Sequence, residues 1–227
     1  LNAVEGYLDL LKGDLLDARP EMRTQVLDRC SLRLRGMRKL IDDLLDLAQI
    51  QSGQRVRRLA PLDLAELARW AMDTARKEAE AHRITLEITA EENAPFVADR
   101  NEIEIMLNNL LSNAVKYNRE GGHVTLSITR EGRKAVIEVA DTGIGMNKEE
   151  LQRLFHEFER IRNEKTQHIL GSGLGLSILK RLAVLYRGDI QGRSHPGKGS
   201  TFTITLHEPE LLTNERERAA YAFPHAS

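Results

Sequence analysis

Three groups of residues have the types and spacing to do chemistry on a flat, charged ligand. The first is Asp141-Thr142-Gly143-Ile144-Gly145-Met146, a carboxylate followed by two glycines two apart. Glycine lets backbone approach a ligand where a Cβ would clash, and the carboxylate adds an acceptor beside it. Taken alone, the same pattern suits any tight strand-to-helix turn. The second group is Asn109, Asn113, Lys116 and Tyr117, which share one helical face at i, i+4, i+7 and i+8. Asparagine is a poor helix former, so two of them inside a strong helix call for a reason. An amide oxygen is a hard ligand suited to Mg²⁺, and a lysine meets phosphate as a point charge. A polar helix edge is the plain alternative. The third group is Gly171-Ser172-Gly173-Leu174-Gly175-Leu176, glycine-rich backbone opening a helix whose free N–H groups suit an anion.

The elements that must position these groups are legible from period and punctuation. Val56 to Leu62 reads as a short strand, and Asp63 with Glu66 as a capping box opening a helix through about Ala81. Ile84, Leu86 and Ile88 alternate as in a half-buried strand, and Phe96-Val97-Ala98 is a brief extended piece before the capping Asp99. A helix over Asn101 to Tyr117 buries Leu107, Leu110, Leu111 and Ala114. Val124–Ile128 and Lys134–Val139 form a hairpin through Glu131-Gly132, and a helix starts near Asn147. Phe155, Phe158 and Arg160 precede a polar stretch, Asn163 to Ile169. A helix then runs to about Tyr186. Gly188–Gln191 and Ser200–Leu206 close the sheet, with Phe202, Ile204 and Leu206 on the buried side.

The front of the chain has a different period. Leu1, Val4, Leu8, Leu11 and Leu15 form one a/d seam, and Leu27, Cys30, Leu34, Met37, Ile41, Leu44 and Ala48 form a longer one. Two seams joined by a short connection make an antiparallel hairpin, and stripes this wide predict that two hairpins pair as a four-helix bundle. Cys30 lies on the seam as a packing residue. Arg29, Arg33, Arg35, Arg38 and Lys39 make the second helix basic. They read as a docking surface for an acidic partner or as a solvated face balanced by Asp42, Asp43 and Asp46. Ser52-Gly53 is the best boundary, giving a helical hairpin over 1–52, an α/β domain over 53–207 and a polar tail over 208–227. The expected class is α+β.

Composition excludes several functions. With 227 residues, 41% hydrophobic and 30% charged, the chain is ordinary globular protein, and a net charge of −1 gives no pull toward nucleic acid or anionic membrane. Aromatic content of 4% argues against a base-stacking platform. No apolar run reaches the roughly 18 residues of a transmembrane helix, no signal peptide is recognisable, and one cysteine fits a reducing compartment. Gly192 to Lys198 reads GxxxxGK, but Gly199 stands where a P-loop needs Ser or Thr, and a strand comes next. Gly171, Gly173 and Gly175 are not GxGxxG, and no histidines are spaced for zinc.

Together these segments resemble the sensor histidine kinases of two-component signalling and, more broadly, the ATPases that include gyrase, Hsp90 and MutL. Asn109-Leu-Leu-Ser-Asn113-Ala-Val-Lys116-Tyr117 is similar to the family's N box, and Asp141–Gly145 to its first glycine box. Phe155-His156-Glu157-Phe158 is similar to the F box, Gly171–Leu176 to the second glycine box, and Gly197-Lys-Gly199-Ser-Thr to a final glycine turn. The resemblance covers about residues 1–207. It implies ATP and Mg²⁺ as cofactors, with Asp141 accepting from the adenine amine and Asn113 ligating the metal. Lys116 and Arg160 would serve the phosphates, with Tyr117 near base or ribose. Gly171, Gly173 and Gly175 would bring amides to the phosphate chain, flanked by Ser172, Leu174 and Leu176, and residues 163–169 would form a lid. It further implies a homodimer through the hairpin, a response-regulator receiver domain as partner and an upstream sensor domain. The catalytic portion would be cytoplasmic, in a parent protein open to membrane anchoring.

One departure concerns the chemistry. Leu1-Asn2-Ala3 resembles the residues just after the proline of the family's phosphoacceptor motif, so the acceptor histidine is expected to be missing from this chain. His156-Glu157 is a His-acid pair but sits in the F box, where it reads as a surface or lid-flanking residue. A second departure is Asn109, which stands where the gyrase-like relatives carry a glutamate base. The rival readings are an ATP-hydrolysing conformational protein of the gyrase or Hsp90 type and a non-enzymatic dimerisation module retaining a nucleotide pocket.

Overall fold

A computed structural model describes residues 6, 20–52, 57–154, 159, 161, 166, 169 and 171–209. The first seam, the F box, Arg160, most of the expected lid and the tail beyond 209 lie outside the described residues.

Helix α1 spans Pro20–Ser52, about 50 Å at 1.5 Å per residue. Its expected seam divides. Cys30 is buried, while Leu27, Leu34, Ile41 and Leu44 are exposed at 48, 51, 55 and 41%. Among the described residues these four are only about half covered, which leaves a row of large apolar side chains exposed along the helix. The arginines and Lys39 expected on a solvated face are exposed, but Asp43 is not: it is 4% exposed. Leu47, one turn on, joins the core of the α/β part.

Strand β1 (Leu59–Asp63) pairs antiparallel with β3 (Pro95–Asp99) as a small separate sheet. The main sheet has the order β2-β4-β5-β7-β6, from Thr85–Ala90, His123–Glu131, Lys134–Asp141, Gly199–His207 and Asp189–His195. Only β2 and β4 run parallel, so the sheet is mixed as expected. Strand alternation fixes the register: Leu126, Val139 and Phe202 make one row across the sheet, and Ile128, Ile137, Ile204 and Ile190 make the next. Helices α2 (Leu64–Ala81), α3 (Arg100–Lys116) and α5 (Gly175–Leu185) cover that face, and α4 (Lys148–Arg153) is a short helix with a complete capping box at Asn147 and Glu150. The fully buried Met106, Leu107, Ile178 and Leu182 join helices to sheet.

Two local expectations differ in detail. Asp63 does cap α2, accepting from Ala65 N at 2.9 Å, but its Oδ1 also takes Ala94 N at 2.9 Å. Glu66 pairs with Arg100 instead of closing a capping box. Strand β6 continues past Gln191 to His195 because β7 offers it partners up to His195↔Gly199.

A buried polar network joins the segment after α1 to two helices. Arg57 donates to both oxygens of Glu102, with Nη2 to Oε2 at 2.7 Å, and Glu102 is fully buried. Tyr186, the cap of α5, donates to Glu102 Oε2 at 2.5 Å and accepts from Asp99 N at 2.9 Å. The Arg57 guanidinium lies 4.5 Å over the Tyr186 ring. Burial first, and then the neighbouring Glu102, push the Tyr186 hydroxyl well above its ordinary range, so it stays protonated as the donor.

Candidate functional site

Helix α3 brings its asparagine face to the point where β5 ends and α5 begins. One cavity there is lined by Asn109, Asn113, Lys116 and Tyr117 of α3 and by Asp141 and Gly145 of the first glycine turn. Gly171, Ser172, Gly173, Gly175 and Leu176 line its other side. Gly143 sits directly under the turn. A Cβ there would come within 2.2 Å of Tyr117 O, so only glycine permits this approach. The turn is tied to α3 by Ile144 N donating to Tyr117 O at 3.0 Å, and to the far loop by Gly197 N donating to Ile144 O at 2.7 Å.

Asp141 has an asymmetric carboxylate. Its Oδ1 accepts Gly143 N at 2.8 Å and Ser200 N at 3.2 Å, which leaves Oδ2 as the acceptor for a ligand. Burial raises its pKa above the ordinary carboxylate range, only partly offset by those two amides. Around it Ile144, Met146, Leu154, Ile161 and Phe202 give the cavity an apolar side. An apolar slot with one aimed acceptor is suited to a flat heterocycle carrying an amino group.

The other end is polar. Asn109 Nδ2 donates to Ile105 O at 2.9 Å within its own helix, so the side-chain oxygen is the group presented toward Gly175. A Cβ on Gly175 would lie 2.9 Å from that oxygen, which explains the glycine. Asn113 and Lys116 come next along the same face. Burial lowers the Lys116 pKa, with Glu78 and Asp43 opposing that and Lys39 adding to it. An entering anion would favour its charged form. The first amides of α5 have no partner from within the helix, by geometry, and open toward this region.

The structure thus brings together eleven of the fourteen residues singled out from sequence. Gly143 supports the turn without lining the cavity, and Leu174 is fully buried in the core, its N–H donating to Ser172 Oγ. Arg160 lies outside the described residues. Sequence reasoning missed the apolar slot, whose members come from four separate segments, and Ser200, although the Gly199-Ser200 turn was visible. It also missed Lys39 and Asp43 of α1, which line the same cavity. Their spacing on a helix gave no sign of which face meets the α/β part.

The donor set can be tested for Mg²⁺. Among the described residues no group of three or more His, Cys, Asp and Glu could cage a metal. A single hard amide oxygen on Asn113, beside a lysine and a glycine cradle, fits an ion held mainly by phosphate oxygens and water.

Residues 98–210 match the family described as histidine kinase-, DNA gyrase B-, and HSP90-like ATPase. The circadian input-output histidine kinase CikA of Synechococcus elongatus is 38% identical over 177 residues, 77% of this chain and 24% of CikA. The sensor-like histidine kinase SenX3 of Mycolicibacterium smegmatis is 32% identical over 181 residues, 78% of this chain and 47% of the relative. The chain spans between 24% and 56% of the length of such relatives. The fold is that of the Acinetobacter baumannii histidine kinase AdeS, with a TM-score of 0.69 over 91% of this chain and 98% of AdeS at 20% identity. Through residues 98–210 the chain therefore belongs to the histidine kinase-, DNA gyrase B- and HSP90-like ATPase family, in the form carried by sensor histidine kinases.

Proposed function

We propose that this chain is the catalytic core of a histidine kinase that binds Mg-ATP and directs its γ-phosphoryl to a histidine for relay to a response-regulator aspartate. The observation that carries the reading is Asp141, which lines the cavity beside its apolar residues with Oδ1 held by two amides. Oδ2 accepts from the adenine amine, Tyr117 flanks base or ribose, and Asn113 and Lys116 lie toward the phosphates, with Arg160 as a further cation. Bound Mg²⁺, held by the Asn113 amide oxygen, supplies charge neutralisation at the phosphates. The amides of Gly171, Gly173 and Gly175 hold the chain of phosphates at the start of α5, flanked by Ser172 and Leu176. The protein's contribution is positioning and electrostatics. Two solved relatives support the assignment: ShkA was solved with AMPPNP, and ThkA in complex with the response regulator TrrA.

The organisation comes from the same reading. Residues 1–52 form the dimerisation hairpin, 53–207 the ATP-binding domain and 208–227 a tail, and the catalytic portion works in the cytoplasm. Among the described residues no helix is long and apolar enough to cross a membrane. Labelled γ-phosphate tests the reaction. Residues 1–52 hold no histidine, so this chain alone should acquire no acid-labile label, and a chain given a His-acid motif on its helical front should acquire it. Replacing that added histidine by glutamine should remove the label. Labelling of this chain at His156, or at any other residue, would overturn the assignment of the acceptor.

A further inference from the structure

Asp43 is a nearly fully buried carboxylate, 4% exposed, that belongs to α1 and not to the ATP-binding domain. Its Oδ2 accepts the Ser172 hydroxyl at 2.6 Å, and its Oδ1 accepts Lys39 Nζ at 3.2 Å. Ser172 Oγ in turn accepts Leu174 N at 3.2 Å, so the carboxylate is coupled to the backbone of the glycine-rich loop. Asp43 and Lys39 both line the cavity that holds Asn113 and Lys116. One turn further along, Leu47 is 5% exposed in the shared core, and α1 packs on α5, the helix that the loop opens.

A buried carboxylate needs donors to offset its desolvation, and here it takes them from the loop that a phosphate chain would use. A polyphosphate entering the cavity would meet a fixed negative charge on the same side, in surroundings where charges are poorly screened. We propose that Asp43 acts as an intramolecular competitor of the nucleotide: its carboxylate occupies a phosphate-facing donor of the glycine loop, so that α1 docking and nucleotide binding oppose each other. This rests on the nucleotide reading of the cavity. The coupling is reciprocal. Nucleotide loosens the turn of α1 around Asp43, and whatever pulls that turn away from Ser172 tightens nucleotide binding by the same factor. A rearrangement of the helical hairpin would thereby reach the ATP site through one hydrogen bond.

The test uses the full chain and titrates it with AMPPNP in excess Mg²⁺. Asp43→Asn keeps the side-chain shape and removes the charge. It should bind about 5-fold more tightly or better. Asp42→Asn makes the same change in net charge at an exposed neighbour and should bind as the parent does. Independently, hydrogen exchange in residues 39–47 of the parent chain should speed up when the nucleotide is added. In Asp43→Asn it should be fast already and unresponsive. Equal binding by parent and Asp43→Asn, weaker binding by the variant, or nucleotide-induced slowing of exchange in 39–47 would each overturn the competition alone. Absence of binding in both chains would overturn the nucleotide reading and the competition with it.

Discussion

Burial lifts the Asp141 carboxyl above its ordinary range although two backbone amides act the other way. A carboxyl whose folded pKa exceeds its unfolded value holds its proton more tightly when folded. Its contribution to stability is therefore present below the ordinary carboxylate range and is lost as pH rises through the folded pKa. At neutral pH the ligand-free protein carries this cost because the site needs the charge. Asp141→Asn keeps an Oδ1 acceptor for Gly143 N and Ser200 N and removes the buried charge. It should raise the melting temperature of the ligand-free protein and flatten that part of its pH profile, while presenting an NH₂ donor to the adenine amine and weakening ATP binding. A melting temperature lowered by the substitution would mean that the carboxylate is a structural acceptor, not a ligand-reading one. Asn109 gives a second expectation. An amide cannot take a proton from water at neutral pH, and its NH₂ is committed to Ile105 O. Steady-state hydrolysis of ATP should then lack the roughly 10²–10⁴-fold contribution of a general base. Turnover at the rate of a dedicated ATPase would favour the gyrase-like reading.

Helices α3 and α5 each have one end at the cavity and the other at the Arg57–Glu102–Tyr186 network. Tyr186→Phe leaves the Asp99 amide without its buried acceptor, while Glu102 Oε2 keeps Arg57, and should cost about 1–3 kcal/mol in denaturant unfolding. Arg57→Leu should cost roughly 3 kcal/mol, the lower end for a broken buried pair, because Arg57 keeps 23% exposure. A null effect for both would mean that the network is relaxed in solution. None of this network was legible in the sequence, since its members are separated by 45 and 84 positions and no period links them. What was legible were the strands and helices themselves, because alternation in β4, β5 and β7 and the caps at Asp63, Asp99 and Asn147 are local signals. The apolar spacing of the α1 seam is visible in the sequence, but sequence could not say that a single chain leaves Leu34 and Ile41 exposed. We expect a homodimer through this face. Leu34→Asp or Ile41→Asp should give a monomer by light scattering, and an unchanged dimer would place the interface elsewhere.

At the scale of the molecule, three sequence-distant segments converge because the sheet order carries β5 and β7 side by side beneath α3 and α5. That convergence turned Asp141, Asn113 and the Gly171–Gly175 loop from separate hints into one cavity. The chemical types and their helical or turn settings could be read from sequence. The contribution of α1 could not, because a helix face is assigned to a neighbour by tertiary packing alone, and Asp43 reads like any solvated acid. The functional assignment stands on one claim, that this cavity binds Mg-ATP and reads its base through Asp141. Calorimetric titration of the chain with ATP and with GTP, each in excess Mg²⁺, tests it most directly. Saturable binding of ATP is predicted, with markedly weaker binding of GTP and loss of that preference in Asp141→Asn. ATP and GTP bound equally tightly by the parent chain, or an ATP preference undiminished in Asp141→Asn, would contradict it.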